Sequence, residues 1–254
     1  MEPVVDLIQK KILVIGASSG IGRQIAKSLN RAGAMVYPLA RREDKLQELA
    51  AELEGTEHRY FCADISDPEQ TETVFGKIKD EVGPLDGMVY SAGVEASLPL
   101  LQLKPEKIRK LFDVNFFGFI ESVRQFARKG HFQAGARVVV ISSVASFRGD
   151  KAHTAYSASK AAINASVRCL AKELAAKGIA LNAVAPAMTE TELLASYRES
   201  SGALSGSDTA LLERQYLGLV QTEDVAALTA FLLSPAARAM TGLTIPVDCG
   251  LTTS

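Results

Sequence analysis

Lys11-Ile12-Leu13-Val14-Ile15 runs directly into Gly16-Ala17-Ser18-Ser19-Gly20-Ile21-Gly22, and an amphipathic helical pattern then continues through Leu29. The first five residues are short, apolar and β-branched, which reads as a buried strand of a parallel sheet. Strand, glycine turn and helix, in that order, form the setting in which a glycine motif signifies dinucleotide binding. Gly16 permits the tight turn, Gly20 lets a diphosphate approach the backbone, and Gly22 lets the helix pack close to the strand. The N–H groups of the turn, with Ser18, Ser19 and Ile21 among its residues, then face phosphates together with the positive helix end. The spacing is G-x3-G-x-G rather than G-x-G-x-x-G, so the general fingerprint is not strictly met, and a turn without a ligand is the competing reading.

The rest of the chain repeats the alternation. Strand patterns fall at 12–15, 35–39, 59–62, 87–90, 137–141, 180–184 and 244–247, and helical patterns at 21–31, 42–53, 69–82, 105–128, 155–176 and 222–233. Alternating elements predict an α/β, Rossmann-type doubly wound fold: a seven-stranded parallel sheet with helices on both faces. The 254 residues suit one α/β domain or two small ones, and no linker or repeat divides them, so a single domain over 1–254 is expected. Pro38 lies inside the second strand pattern, where proline removes a ladder donor, which predicts a local defect near the strand's end. Residues 187–218 are the least regular stretch, a pattern that marks a lid, a binding loop or disorder.

Charge excludes several classes of partner. The net charge is −1 with the charges interspersed, so neither a nucleic-acid nor a membrane surface is expected. No apolar stretch approaches the ~20 residues of a membrane helix, and Met1 to Gln9 mixes Glu2, Pro3 and Asp6 among apolar residues, unlike a signal peptide. Cys62, Cys169 and Cys249 lack metal spacing, as do His58, His131 and His153; structural thiols in a reducing cytoplasm and no metal site are the expectation.

A second pattern carries chemistry. Tyr156 and Lys160 stand four apart, with Ser143 thirteen residues upstream of Tyr156 and just past an apolar run. On a helix, such a pair shares one face with origins about 5–6 Å apart. An ammonium beside a phenol favours its ionised form, so a Tyr156 brought toward neutrality by Lys160 is expected to exchange a proton at working pH. An ordinary surface pair is the competing reading.

Taken together, Gly16-Ala17-Ser18-Ser19-Gly20-Ile21-Gly22, Tyr90-Ser91-Ala92-Gly93, Asn115, Ser143 and Tyr156 with Lys160 resemble, in order and spacing, the short-chain dehydrogenase/reductase family, in its single-domain branch. The resemblance covers about Lys11 to Leu251 and is nearest to 3-oxoacyl-carrier-protein reductases. Ile15 replaces a threonine, Tyr90-Ser91 replace two asparagines and Ala187 replaces a glycine of the family pattern. The resemblance implies hydride transfer between a nicotinamide and a carbonyl or secondary alcohol. Tyr156 would be the proton donor, Ser143 would hydrogen-bond the reacting oxygen, and Lys160 would lower the Tyr156 pKa and hold the nicotinamide ribose. Asn115 would order a water that feeds protons to Lys160. By the same resemblance Asp64 and Ile65 lie beside adenine, Ser91, Ala92 and Gly93 beside the ribose, Pro186 and Thr189 beside the carboxamide, and 187–218 forms the substrate lid.

After the second strand, about Ala40, the acid of NAD-binding enzymes is missing, and Arg41 and Arg42 follow. Guanidinium suits a 2′-phosphate, so NADP(H) is expected over NAD(H). The substrate is expected to be a small carbonyl or alcohol, with an acyl-carrier thioester as a variant, in a pocket including Val94, Glu95, Val144 and Met188. The basic cluster Arg124, Arg128 and Lys129 reads as a solvated helix face. A homo-oligomer, tetramer or dimer, is implied by the resemblance. A non-catalytic NADP(H)-binding regulator on the same fold is the alternative function, disfavoured by the complete Asn-Ser-Tyr-Lys set.

Overall fold

The protein is described by a computed structural model over residues 5–55, 59–191 and 212–253. The chain runs β1 (Lys11–Ile15), α1 (Gly20–Arg31), β2 (Met35–Ala40), α2 (Glu43–Glu52), β3 (Phe61–Cys62), α3 (Pro68–Glu81), β4 (Leu85–Tyr90) and α4 (Pro105–Phe112). A π-helical turn, Asp113–Phe117, leads into α5 (Gly118–Phe126), followed by β5 (Phe132–Ile141), α6 (Thr154–Ala175), β6 (Ala180–Pro186), α7 (Thr222–Leu233) and β7 (Thr244–Val247). The seven strands form one sheet in the order β3-β2-β1-β4-β5-β6-β7, and every pairing is parallel. The expected doubly wound α/β sheet is what the chain forms.

The strands alternate sides as a period of two requires. Leu13, Ile15, Met88, Tyr90, Val138 and Val140 face one core with Phe75 of α3, Phe119 and Phe126 of α5, and Ile163 and Val167 of α6. Ile12, Val14, Val89, Val139 and Val184 face the other with Ile25 and Leu29 of α1, Leu49 of α2, and Val225 and Leu232 of α7. Burying a side chain of this size contributes about 1.5–3 kcal/mol, and with both sheet faces covered the strands carry apolar residues at nearly every position, which is why they read as continuous runs.

Three local expectations are revised. Pro38 makes no defect: β2 continues to Ala40, and Pro38 pairs in register with Val14. Met35 donates to Lys10 and Leu39 accepts from Gly16 on the β1 side. The alternate residue Pro38 therefore faces the β3 side, ahead of the first β3 pair, Leu39 with Phe61, and no β1 ladder bond is lost. The strand expected at 59–62 shortens to two residues, and that expected at 137–141 begins five residues earlier, with a register shift against β4. The helix expected over 105–128 is interrupted by the π turn. Of the lid segment 187–218, residues 192–211 lie outside the described residues, as does His58. No helix is long and apolar enough to cross a membrane, and no metal-binding cluster occurs among the described residues.

Candidate active site

The strand order reverses between β1 and β4, so their carboxyl ends diverge and leave a crevice, where open α/β sheets bind ligands. A cleft of about 700 Å³ opens there, and it is continuous from the glycine turn to Tyr156 and Lys160.

The glycine turn forms the first half. Gly16 has φ +85°, and a Cβ on it would collide with the backbone of Ala92. A Cβ on Gly22 would collide with the Gly16 carbonyl, so α1 can start this close to β1 only with glycine there. Gly20 (φ +53°) opens on the cleft, where a Cβ would meet only the Thr191 side chain, at 3.7 Å. The first turn of α1 carries no acidic residue and no side-chain cap. The hydroxyls of Ser18 and Ser19 instead accept from Arg42 Nη2, at 2.9 and 2.8 Å. The positive end of α1 therefore faces the cleft beside a guanidinium, an arrangement that suits phosphate.

Next along the wall stand Ala40, Arg41, Asp64 and Ile65. Arg41 Nη1 lies 3.6 Å from Asp64 Oδ2, and Asp64 Oδ1 accepts from the Ser66 N–H (3.0 Å) and hydroxyl (2.7 Å). Partial burial opposes ionisation of Asp64, but the bonds from Ser66 and the charge of Arg41 outweigh it and hold the carboxyl below its ordinary range. Of the residues expected to hold the cofactor, Gly16, Ser18, Ser19, Gly20, Ile21, Gly22, Arg41, Arg42, Asp64, Ile65, Ser91, Ala92, Gly93, Tyr156 and Lys160 line the cleft. Pro186 and Thr189 do not line it; the Thr189 hydroxyl donates to the Ala187 carbonyl at 2.9 Å. Thr191, two residues further on, reaches the cleft instead.

The second half is assembled from distant elements. Tyr156 and Lys160 come from the first turns of α6, Ser143 from the turn after β5, and Asn115 from the π turn. Lys160 is buried and donates from Nζ to the Ile141 carbonyl at 2.9 Å, with Nζ 5.8 Å from the Tyr156 ring centroid. Ser142 is committed to Asn164 at 2.6 Å, whereas Ser143 hydrogen-bonds Tyr156, so the thirteen-residue spacing picks the serine that meets the phenol. Val94 and Glu95 border the cleft, whereas neither Val144, which is buried, nor Met188, whose carbonyl accepts from Gln215, lines it.

Electrostatics correct one expectation. Burial pushes the Tyr156 phenol up, the Glu95 charge adds to this, and only the Ser143 hydrogen bond pulls the other way. Lys160 is not the depressing charge. Burial holds its own ammonium down to about 8, with Glu95 opposing. Desolvation outweighs the spacing-based attraction because both groups leave water together. The phenol is accordingly protonated at neutral pH, and the amine titrates within reach of it.

Asn115 is fully buried, and its amide is engaged at both ends: Nδ2 donates to the Val94 carbonyl (2.9 Å) and Ser159 Oγ (3.0 Å), and Oδ1 accepts from the Val94 N–H (2.8 Å). Both Nδ2 protons are committed, so the side chain clamps the β4–α4 segment. Ser159, which donates to the Tyr156 carbonyl at 2.7 Å, was not singled out from sequence; its place inside Tyr156-Ser157-Ala158-Ser159-Lys160, three after Tyr156, is the available signal. Glu95 and His153 were also missed as a pair. Glu95 Oε1 is 3.0 Å from His153 Nε2, and the His153 ring lies 6.2 Å from that of Tyr156. The bond to Glu95 raises the His153 pKa against partial burial.

Other candidates resolve as packing or surface. The cysteines are free, the His131 ring is stacked on Phe75, and Arg124 and Arg128 pair with Glu121 and Glu72, both at 2.7 Å.

A family profile described as "Enoyl-(Acyl carrier protein) reductase" matches residues 16–252. The chain is 36% identical over 251 residues to an L-xylulose reductase of Bos taurus, spanning 96% of this chain and 97% of that one. A dehydrogenase/reductase structure from Sinorhizobium meliloti superposes with TM-score 0.89 at 29% identity, over 98% of this chain and 97% of its own. The structure of a variant of actinorhodin polyketide ketoreductase with NADPH gives TM-score 0.87 at 30% identity, over 97% and 98%.

Proposed function

The chain belongs to the short-chain dehydrogenase/reductase family of oxidoreductases, and on that premise we propose that it reduces a small carbonyl compound with NADPH, and oxidises the corresponding alcohol with NADP⁺. The observation that carries this reading is the single cleft joining the glycine turn and the arginines to the Tyr156 hydroxyl and the Lys160 amine. When bound, the nicotinamide supplies or takes up the hydride. The diphosphate belongs on the N-terminal turn of α1, and a 2′-phosphate belongs with Arg42, Arg41 and the hydroxyls of Ser18 and Ser19.

The chain's own groups handle the proton. Tyr156, kept protonated by burial, gives its phenolic proton to the carbonyl oxygen as charge develops there. Ser143, already bonded to that phenol, stabilises the charge on the same oxygen. Lys160, charged below about pH 8, replaces the proton lost from Tyr156. Asn115 is a positioning residue that holds the Gly93–Val94 wall.

The polar rim made by Glu95 and His153 beside Tyr156 favours a hydroxylated ketone over a long acyl chain, in keeping with the ketose named for the bovine relative. The free cysteines fit a reducing cytoplasm. Phe117 and Phe147, both more than half exposed, fit burial in a dimer or tetramer.

NADPH fluorescence titration followed by a panel of ketoses, simple ketones and β-ketoacyl thioesters, read by NADPH absorbance, tests the proposal. Turnover of ketoses is expected. Turnover of the thioesters alone would reassign the substrate, and NADPH binding without turnover of any carbonyl would favour the regulator.

A further inference from the structure

Tyr90, the last residue of β4, is buried with 1% of its surface exposed, and its hydroxyl reaches across to the π turn. A π turn breaks the regular i→i+4 ladder: the Gly118 N–H donates five residues back to Asp113. Within that turn the Val114 carbonyl accepts from the Tyr90 hydroxyl at 2.5 Å. Gly118 makes room for this hydroxyl, since a Cβ there would stand 2.6 Å from Tyr90 Oη and 2.8 Å from the Ile65 carbonyl. The Tyr90 ring lies edge-on to Phe119, 5.7 Å between centroids, which fixes its direction. A phenol buried this deeply stays neutral: burial, with Asp64 adding to it, drives its pKa up.

The next residue after Val114 is Asn115, whose amide clamps both backbone groups of Val94. Gly93, just before Val94, has Asn115 Oδ1 and Lys160 Nζ near the place its Cβ would take, at 3.4 and 3.5 Å. A connected path therefore runs from the Tyr90 hydroxyl through Val114 and Asn115 to the cleft wall beside Lys160. We propose that Tyr90, with Gly118 as its complement, is a positioning residue of the reductase: it holds the π turn at the depth at which Asn115 locks the Gly93–Val94 wall beside Lys160. This rests on the reductase reading of the same site.

The experiment compares wild type with Tyr90→Phe, which keeps the ring and deletes the bond. Steady-state kinetics, NADPH titration and hydrogen exchange at the Val94 amide are measured on the full chain. The expected result is a kcat lower by ~10-fold with the NADPH Kd within about twofold of wild type, and faster exchange at Val94. A merely structural role would lower thermal stability without splitting kcat from cofactor affinity. Gly118→Ala, which crowds the same hydroxyl from the opposite side, is expected to shift Val94 exchange in the same direction and serves if Tyr90→Phe does not fold. Wild-type Val94 exchange in the folded variants overturns the inference whatever the activity, as does an unchanged kcat. An inactive wild type that still binds NADPH would defeat the reductase reading instead, and Val94 exchange would then decide the path by itself.

Discussion

The two ends of the cleft are built by opposite means. At the glycine-turn end, one contiguous stretch of chain, Gly16 to Gly22, with Arg41 and Arg42 nearby, provides backbone N–H groups and half-solvated charges. At the Tyr156 end, three separated segments deliver Asn115, Ser143 and the Tyr156–Lys160 pair into a largely dry site. The first end is limited by sterics: a methyl group at Gly16 or Gly22 runs into backbone. The second is limited by desolvation, which moves the pKa of both its titratable groups. On the proposed reading, binding rests on shape and surface charge, and proton transfer on buried polar groups whose burial destabilises the fold.

Variants separate the two ends, in order of expected effect. Tyr156→Phe removes the proton donor and keeps the ring; kcat for carbonyl reduction is expected to fall by ~10³-fold with NADPH affinity retained. Comparable kcat would remove Tyr156 from the chemistry and leave the contrast without its second half.

Lys160→Met tests the cost of burial. Lowering the amine from 10.5 to about 8 corresponds to about 3 kcal/mol of opposition to the charged state. Below about pH 8 the amine is charged in both folded and unfolded chains, so the penalty is complete. Between about 8 and 10.5 the folded chain loses the proton first and the penalty is relieved as pH rises. The variant is expected to be inactive yet more stable at pH 7, by ~1–3 kcal/mol after loss of the Ile141 bond, as read from denaturant midpoints. In the wild type, the reduction rate is expected to fall as pH rises past about 8, where Lys160 loses its proton; a rate flat to pH 10 would exclude it from proton supply.

Arg42→Ala acts at the other end. It deletes the guanidinium on Ser18 and Ser19, and is expected to weaken NADPH binding by ~10-fold while changing NADH binding little, with the difference shrinking at high salt. Equal loss for both nucleotides would contradict a 2′-phosphate site. The smallest effect is at Glu52, held down to about 2 by hydrogen bonds from Arg23 and Lys27 of α1, at 2.7 and 3.1 Å. Its contribution is present above pH ~4.5 and fades as pH falls toward 2. Because the pair is solvated, Glu52→Gln is expected to cost only ~0.5 kcal/mol, visible as a slightly lower thermal midpoint at pH 7 that vanishes near pH 2.

The same contrast governs what could be read in advance. The glycine turn, the sheet and the arginines were legible because their physics is local: apolar runs with period two, a glycine where φ must be positive, a cation next to a phosphate-sized turn. Helix 105–128 was read as continuous because its residues suit a helix throughout; the π turn at Asp113–Phe117 comes with partners from elsewhere, Tyr90 and Val94. Pro38 looked like a defect because the sequence does not say which side of β2 its nitrogen faces. The Glu95–His153 pair joins residues 58 apart and left no spacing to notice.

From its sequence alone, this chain was committed to a doubly wound parallel sheet with a glycine turn after β1 and a Tyr156–Lys160 pair on one helix face. Those follow from side-chain periodicity and backbone sterics, which act between near neighbours. Only the tertiary structure decided how far Tyr156 and Lys160 are desolvated and what Asn115 holds. Those depend on how much water the folded elements exclude and on which groups they bring together across the sheet.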